Sequence, residues 1–183
     1  MIKKLVSIII RTHNEEKWIS SCLNAVFEQD YKNFEIIIVD NESVDNTIKI
    51  VNTYNIKKIL KIKKYFPGKA LNLGINNAKG SIVVCLSGHC IPKNNKWLGS
   101  LINALKNPKV AGVYGRQEPL SFSSPIDKRD LLLTFGLDKK IQTKDGFFHN
   151  ANSAIKKKLW KKFKFDEKVT NIEDRIWGNK VIK

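Results

Sequence analysis

Two apolar runs near the N-terminus each stop on a cluster of polar residues, and this pattern constrains the fold more than any other feature of the chain. Val6-Ser7-Ile8-Ile9-Ile10 runs into Arg11-Thr12-His13-Asn14-Glu15-Glu16, and Phe34-Glu35-Ile36-Ile37-Ile38-Val39 runs into Asp40-Asn41-Glu42-Ser43-Val44-Asp45. Short β-branched runs without polar alternation are the mark of strands buried on both faces, the habit of parallel sheets. Between the runs, Trp18, Ile19, Cys22, Leu23 and Val26 share one helical face, which makes the unit β-α-β. Asn14 suits the N-cap of that helix, with Glu15 and Glu16 in its first turn. Ligands in open α/β sheets bind beyond the carboxyl ends of the strands. Both polar clusters fall at that edge.

The rhythm continues downstream. Ile48, Val51 and Tyr54 mark a second helix, with Asp45 as its expected N-cap, and Lys58–Ile62 a weaker strand. Pro67-Gly68 reads as a turn. Lys69–Ala78 reads as a helix and Ser81–Leu86 as a buried strand ending in Ser87-Gly88-His89-Cys90. Trp97, Leu98, Leu101, Ile102 and Leu105 line a further helix before Pro108, and Val110–Tyr114 reads as a fifth strand. Alternating strands and helices specify an α/β fold with a mostly parallel central sheet covered on both faces. The rhythm breaks after Gly115. One helix is expected around Asp130–Phe135, a short strand or bend over Phe147–Asn152, a helix over Lys156–Lys162, and another over Glu173–Ile182 that reaches the chain end uncapped, as in a chain shorter than its relatives or cut.

The 33 Lys and Arg against 17 Asp and Glu give a formal charge of +16. Such a surface is either solvated or drawn to a polyanion, nucleic acid or anionic lipid. Only Arg11, Arg116, Arg129 and Arg175 are arginine, which argues against a nucleic-acid reader, since those favour Arg for bidentate base contacts. Cys22, Cys85 and Cys90 are odd in number and lack the spacing of a metal ribbon, so a reducing compartment is expected. Met1-Ile2-Lys3-Lys4 leads straight into a strand, unlike a signal peptide. No apolar run approaches the ~20 residues of a membrane span.

Three segments together resemble a known family. Ser7–Glu16, Ile38–Thr47 and Gly68-Lys69-Ala70-Leu71-Asn72-Leu73-Gly74 with Ala78-Lys79-Gly80 are similar, in this order, to the large inverting glycosyltransferase family typified by cellulose- and chitin-synthase relatives and bacterial rhamnosyltransferases. The resemblance implies a GT-A nucleotide-diphospho-sugar transferase fold as one domain over residues 1–183. Its nucleotide-binding half would cover 1–115, and its acceptor-side half 116–183, with completeness beyond Lys183 left open.

On the nucleotide side the resemblance implies that Asp40 accepts the N3–H of a pyrimidine. The residues alone allow a turn-capping Asp-x-x-Ser instead. Thr12, Asn14 and Glu15 would line base and ribose, although Glu15 also suits a helix dipole. Lys69, beside Gly68, would meet the diphosphate. Asn72 either contributes there or packs under the loop.

Relatives place Asp-x-Asp after the fourth strand, for ribose and for a divalent metal. Here both acids are replaced in Ser87-Gly88-His89. Ser87 still offers a hydrogen bond to ribose. His89 still offers a nitrogen to a metal, better suited to Mn²⁺ than to Mg²⁺. The alternative is that Lys69 or Arg116 stabilises the leaving group.

Glu173-Asp174 resembles the family's acidic pair near the acceptor. Inverting transfer needs one general base, assigned to Asp174 with Glu173 as its neighbour. The competing role is charge stabilisation of a helix start. Arg116, Gln117, His149, Asn150 and Trp177 would build the sugar and acceptor pocket.

The expected function is transfer from a UDP- or dTDP-sugar to a glycan or lipid-linked acceptor, on the cytoplasmic side and peripheral to an anionic membrane, without nucleic acid. The rivals are a catalytically inactive sugar-nucleotide-binding relative acting as partner subunit and a basic nucleic-acid-binding module. A sugar nucleotidyltransferase would need a Gly-rich basic loop after the first strand, which Arg11-Thr12-His13-Asn14 is not.

Overall fold

The computed structural model describes residues 4–182. Its strands are β1 (Val6–Thr12), β2 (Phe34–Asp40), β3 (Lys58–Lys61), β4 (Ile82–Ser87), β5 (Gly112–Tyr114) and β6 (Asn152–Lys156). They form a six-stranded sheet in the order β3-β2-β1-β4-β6-β5. β1, β2, β3 and β4 run parallel, with Thr12 opposite Asp40 and Arg11 opposite Ser87, while β6 is antiparallel to both β4 and β5. The helices are α1 (Ile19–Phe27), α2 (Thr47–Val51), α3 (Pro67–Asn77), α4 (Trp97–Ala104), α5 (Pro125–Phe135), α6 (Lys157–Lys162) and α7 (Glu173–Ile182).

Successive strand residues point to opposite faces, so a run such as Ile8-Ile9-Ile10 feeds two cores at once. Ile8 and Ile10 meet Ile19, Leu23 and Val26 of α1, Val51 of α2 and Leu98 and Leu101 of α4. Ile9 meets Ala70, Leu71 and Ile75 of α3, together with Trp160 and Trp177. All three isoleucines are fully buried. Each such side chain contributes about 1.5–3 kcal/mol. Cys22 and Cys85 are also fully buried, and burial pushes the Cys85 thiol up to about 12.

Several local expectations change. Pro67-Gly68 is not a turn but the start of α3, where proline suits the first helical position. A Cβ on Gly68 would collide with the carbonyl oxygen of Asp166. α1 begins at Ile19, with Trp18 rather than Asn14 at its N-cap. Asn14 sits at φ 54°, and its side-chain oxygen accepts from Val44 N–H at 2.9 Å, so it tethers the neighbouring loop. Asp45 sits one residue ahead of the Asn46 cap of α2, yet accepts from Thr47 N–H at 2.9 Å and Glu16 N–H at 3.0 Å.

The strand expected over Phe147–Asn152 lies instead at Asn152–Lys156, and it wedges between β4 and β5. β5 therefore points the same way as β4 without pairing with it. Among the described residues, no helix is long and apolar enough to cross a membrane.

Candidate functional site

The C-terminal ends of β1, β2 and β4 lie side by side and carry the polar clusters. Asp40 is 1% exposed and accepts three hydrogen bonds, from Thr12 Oγ1 at 2.8 Å, Ser43 Oγ at 2.6 Å and Ser43 N–H at 2.9 Å. Asp40 thus braces the loop after β2, and because Oδ2 accepts only one of these bonds the carboxylate keeps acceptor capacity. Asn14 N–H donates to Ser43 Oγ at 2.9 Å and Glu15 N–H to Thr47 Oγ1 at 2.6 Å, so the loops after β1 and β2 form one framework.

Gly88 lets the turn after β4 settle against this framework, since a Cβ there would press Thr12 Cγ2 and Glu15 Cγ at 3.1 Å. His89 Nδ1 faces Glu15 Oε1 at 2.7 Å. Among the described residues, no group of three or more His, Cys, Asp or Glu is gathered. A hard divalent ion prefers several oxygen donors. One imidazole and one carboxylate, already closed on each other, do not fit such an ion by themselves.

On the other side of β1 a cavity of about 370 Å³ is lined by Arg11, Tyr65, Pro67, Phe147, Phe148, His149, Glu173 and Asp174, with Thr170, Asn171, Ile172 and Arg175 at its edge. Asn150, 1% exposed, sets the two acids. Its backbone N–H donates to Asp174 Oδ2 and its side-chain amide to Glu173 Oε1, each at 3.2 Å. Ser153 Oγ donates to Asn150 Oδ1 at 3.2 Å. Asn150 is therefore a positioning residue behind the acids rather than a pocket wall.

Burial, and next the Asp174 carboxylate, hold Glu173 above the ordinary carboxylate range, although Asn150 and Arg11 pull it down. Ile172, just before the pair, sits at φ 60°, a strained conformation for a β-branched residue.

His149 lines the cavity and accepts from Gln117 Nε2 at 2.9 Å, and burial lowers its pKa, favouring the neutral ring. Arg116 turns away and pairs with Glu118, which Lys93 also holds. Lys69 is exposed and makes no hydrogen bond or ion pair among the described residues. Trp177 is corrected from pocket to core. It is 1% exposed, donates its indole N–H to Phe163 O at 2.9 Å and packs 4.8 Å from Phe148. Asn72 is likewise structural. It donates to Phe165 O at 2.9 Å and Glu167 Oε1 at 2.8 Å, and accepts from Trp160 Nε1 at 2.8 Å.

Sequence reasoning missed Arg11. Its side chain is 11% exposed, and its guanidinium donates to Tyr65 Oη at 3.3 Å, Ser87 Oγ at 3.2 Å and Asn150 O at 3.5 Å. The Glu173 carboxylate stands 3.9 Å away. The signal was available: an arginine, rare in this lysine-rich chain, ends a run buried on both faces.

Residues 7–163 match the family profile described as glycosyl transferase family 2. The chain belongs to that family. Its sheet and flanking helices form a GT-A fold. The matched stretch runs from β1 through α6 and stops short of Glu173-Asp174.

The family 2 chain is 34% identical over 162 residues to the dolichyl N-acetyl-α-D-glucosaminyl phosphate 3-β-D-2,3-diacetamido-2,3-dideoxy-β-D-glucuronosyltransferase of Methanococcus voltae, covering 80% of this chain and 50% of that one. Its fold matches Staphylococcus aureus TarS 1–349 in complex with UDP at TM-score 0.76 and 19% identity, over 97% of this chain and 54% of TarS. It also matches the mannosyltransferase PcManGT of Pyrobaculum calidifontis in complex with GDP-Man and Mn²⁺, at TM-score 0.74 and 23% identity, over 96% and 51% of the two chains. The chain thus spans about half the length of these relatives.

Proposed function

We propose that this family 2 glycosyltransferase moves a sugar from a UDP- or dTDP-linked donor to a glycan or lipid-linked acceptor, with inversion and with Asp174 as general base. The observation that carries the reading is the placement of Asp174. Asn150 holds the acid from behind at 3.2 Å, and it lines a cavity that also takes in Arg11 from the end of β1. The dolichyl phosphate-linked acceptor in the name of the Methanococcus voltae relative and the UDP bound to TarS support the acceptor and donor classes.

In the step, an acceptor hydroxyl attacks the anomeric carbon as its proton passes to Asp174. The bond from that carbon to the diphosphate breaks, and its electron pair leaves with the nucleoside diphosphate. Thr12, Asn14 and Glu15 frame the nucleoside, and Asp40, held at the end of β2, accepts the N3–H of its pyrimidine. Ser87 faces the ribose. Gln117 and His149 border the sugar. Residues 1–115 serve the nucleotide and 116–183 the acceptor. The lysine excess keeps the chain near anionic lipid.

Thermal-shift measurements with UDP, dTDP, GDP and CDP test the donor. Stabilisation by a pyrimidine diphosphate is expected, and no shift with any of the four at millimolar concentration overturns the reading. Asp174→Asn is expected to lose turnover by roughly 10²–10⁴-fold with nucleotide affinity kept. Unchanged turnover rejects the base.

A further inference from the structure

We propose that Arg11 grips the diphosphate of the donor, so that this chain binds a nucleoside diphosphate without a divalent ion. The inference rests on the reading above and assigns a charge role that sequence had offered to Lys69, Arg116 or a metal at His89.

Four observations carry it. First, Arg11 is opposite Ser87 in the pairing of β1 with β4 and donates to its hydroxyl, so the guanidinium lies where the nucleotide framework meets the Asp174 cavity. Second, the guanidinium is under-satisfied. Among the described residues, its Nε–H is buried with no acceptor, its hydrogen bonds go to neutral oxygens at 3.2–3.5 Å, and its ion-pair carboxylate is 3.9 Å away. A buried cation with so loose a counter-ion is costly, and an anionic oxygen offsets that cost.

Third, the other candidates are less suited. Arg116 is bound to Glu118, Glu15 and His89 are hydrogen-bonded to each other, and Lys69 is exposed on α3 and lacks a guanidinium's fork. Fourth, the chemistry fits. A planar guanidinium presents a fork of donors that matches two phosphate oxygens, as an ammonium does not. The Tyr65 hydroxyl, 3.3 Å from Nη1, adds a further donor on the same side. Arg11 then faces the negative charge that accumulates as the glycosidic bond breaks, a role otherwise suited to a metal.

The test is calorimetric titration of the full chain with UDP, uridine and UDP-glucuronic acid, in excess EDTA and again in Mn²⁺. UDP is expected to bind in EDTA at least about tenfold tighter than uridine, as charge-assisted bonds to the diphosphate require. Arg11→Gln is expected to erase that difference while leaving uridine affinity unchanged, which also shows that the variant is folded. Arg11→Lys, which keeps the charge and loses the fork, is expected to fall between the two. It also stands in if Arg11→Gln does not fold.

Binding of UDP by the parent chain only in Mn²⁺ overturns this inference and leaves the proposed function intact. So does an Arg11→Gln variant that binds UDP in EDTA as the parent does, or one that weakens UDP-glucuronic acid but not UDP, since that would place the guanidinium on a sugar carboxylate. Failure of every nucleoside diphosphate to bind, with or without Mn²⁺, overturns both.

Discussion

Thr12 and Asp40 lie opposite each other where β1 and β2 end, and the threonine hydroxyl donates to the buried carboxylate at 2.8 Å. With Ser43 supplying two more donors, this acid holds the loop that frames the proposed nucleotide side. Asp40→Ala strands those donors. It is expected to lower stability by about 3 kcal/mol, and Thr12→Val by about 1 kcal/mol. Urea denaturation checks both. Equal midpoints for Asp40→Ala and the parent chain would remove Asp40 from this role.

Asn72 joins α3 to residues 160–167 through Trp160, Phe165 and Glu167. Asn72→Leu keeps the volume and leaves the Trp160 indole N–H and the Phe165 carbonyl without partners. A loss of about 2–4 kcal/mol is expected in equilibrium unfolding, with a blue-shifted or broadened tryptophan emission marking the site.

α7 sits directly on the chain at Gly146. A Cβ on Gly178 would collide with the Gly146 carbonyl. Gly178→Ala must therefore push the helix outward, and Asp174 at its start with it. Since a displacement near 1 Å can cost about 10²-fold, turnover is expected to fall at least tenfold. Uridine affinity should not change, because the framework around Thr12 and Asp40 is on other elements. Steady-state kinetics beside a binding titration distinguish this from general unfolding.

Glu173 gives stability a pH dependence of definite sign. Its folded pKa is raised, chiefly by burial, above the ordinary ~4.3 of the unfolded chain. Between those two values the folded protein keeps a proton that the unfolded chain has released, so this group's contribution to stability falls as pH rises through the window. Glu173→Gln cannot titrate. The stability of the parent minus that of Glu173→Gln is expected to decline with rising pH across that window and to level off above it. A difference that is flat from pH 4 upward would reject the assignment.

His149 works in the opposite sense. Burial lowers its folded pKa below the ordinary ~6.5, so its contribution to stability is present above that value and is lost as pH falls toward the folded pKa. His149→Gln is expected to remove this component from the acid side of a Tm–pH profile.

Strands β1, β2 and β4 of the parallel part were legible because burial on two faces leaves only one kind of sequence. Ile8-Ile9-Ile10 and Ile36-Ile37-Ile38 admit little else. β6 was not. Asn152-Ser153-Ala154-Ile155-Lys156 holds a single β-branched residue, and its strand character comes from β4 and β5, which pair with it from distant parts of the chain. Trp177 was misplaced because an aromatic beside acids suits a sugar pocket. Its spacing of four from Glu173 was the better guide, since residues four apart share a helix face and both are buried. The acids at the start of α7 were readable as a pair. What could not be read was that Asn150 would hold both, since that contact is made only by folding.

The central position of β6 also orders events in time. As the chain leaves the ribosome, β1 to β4 can assemble in sequence, yet the outer edge of β4 stays open until Asn152–Lys156 emerges. An unpaired apolar edge is a template for wrong partners. Newborn molecules of this protein thus pass through a vulnerable interval whose length is set by the stretch between β4 and β6, and a lengthened insertion there would tax chaperones before it touched the finished fold.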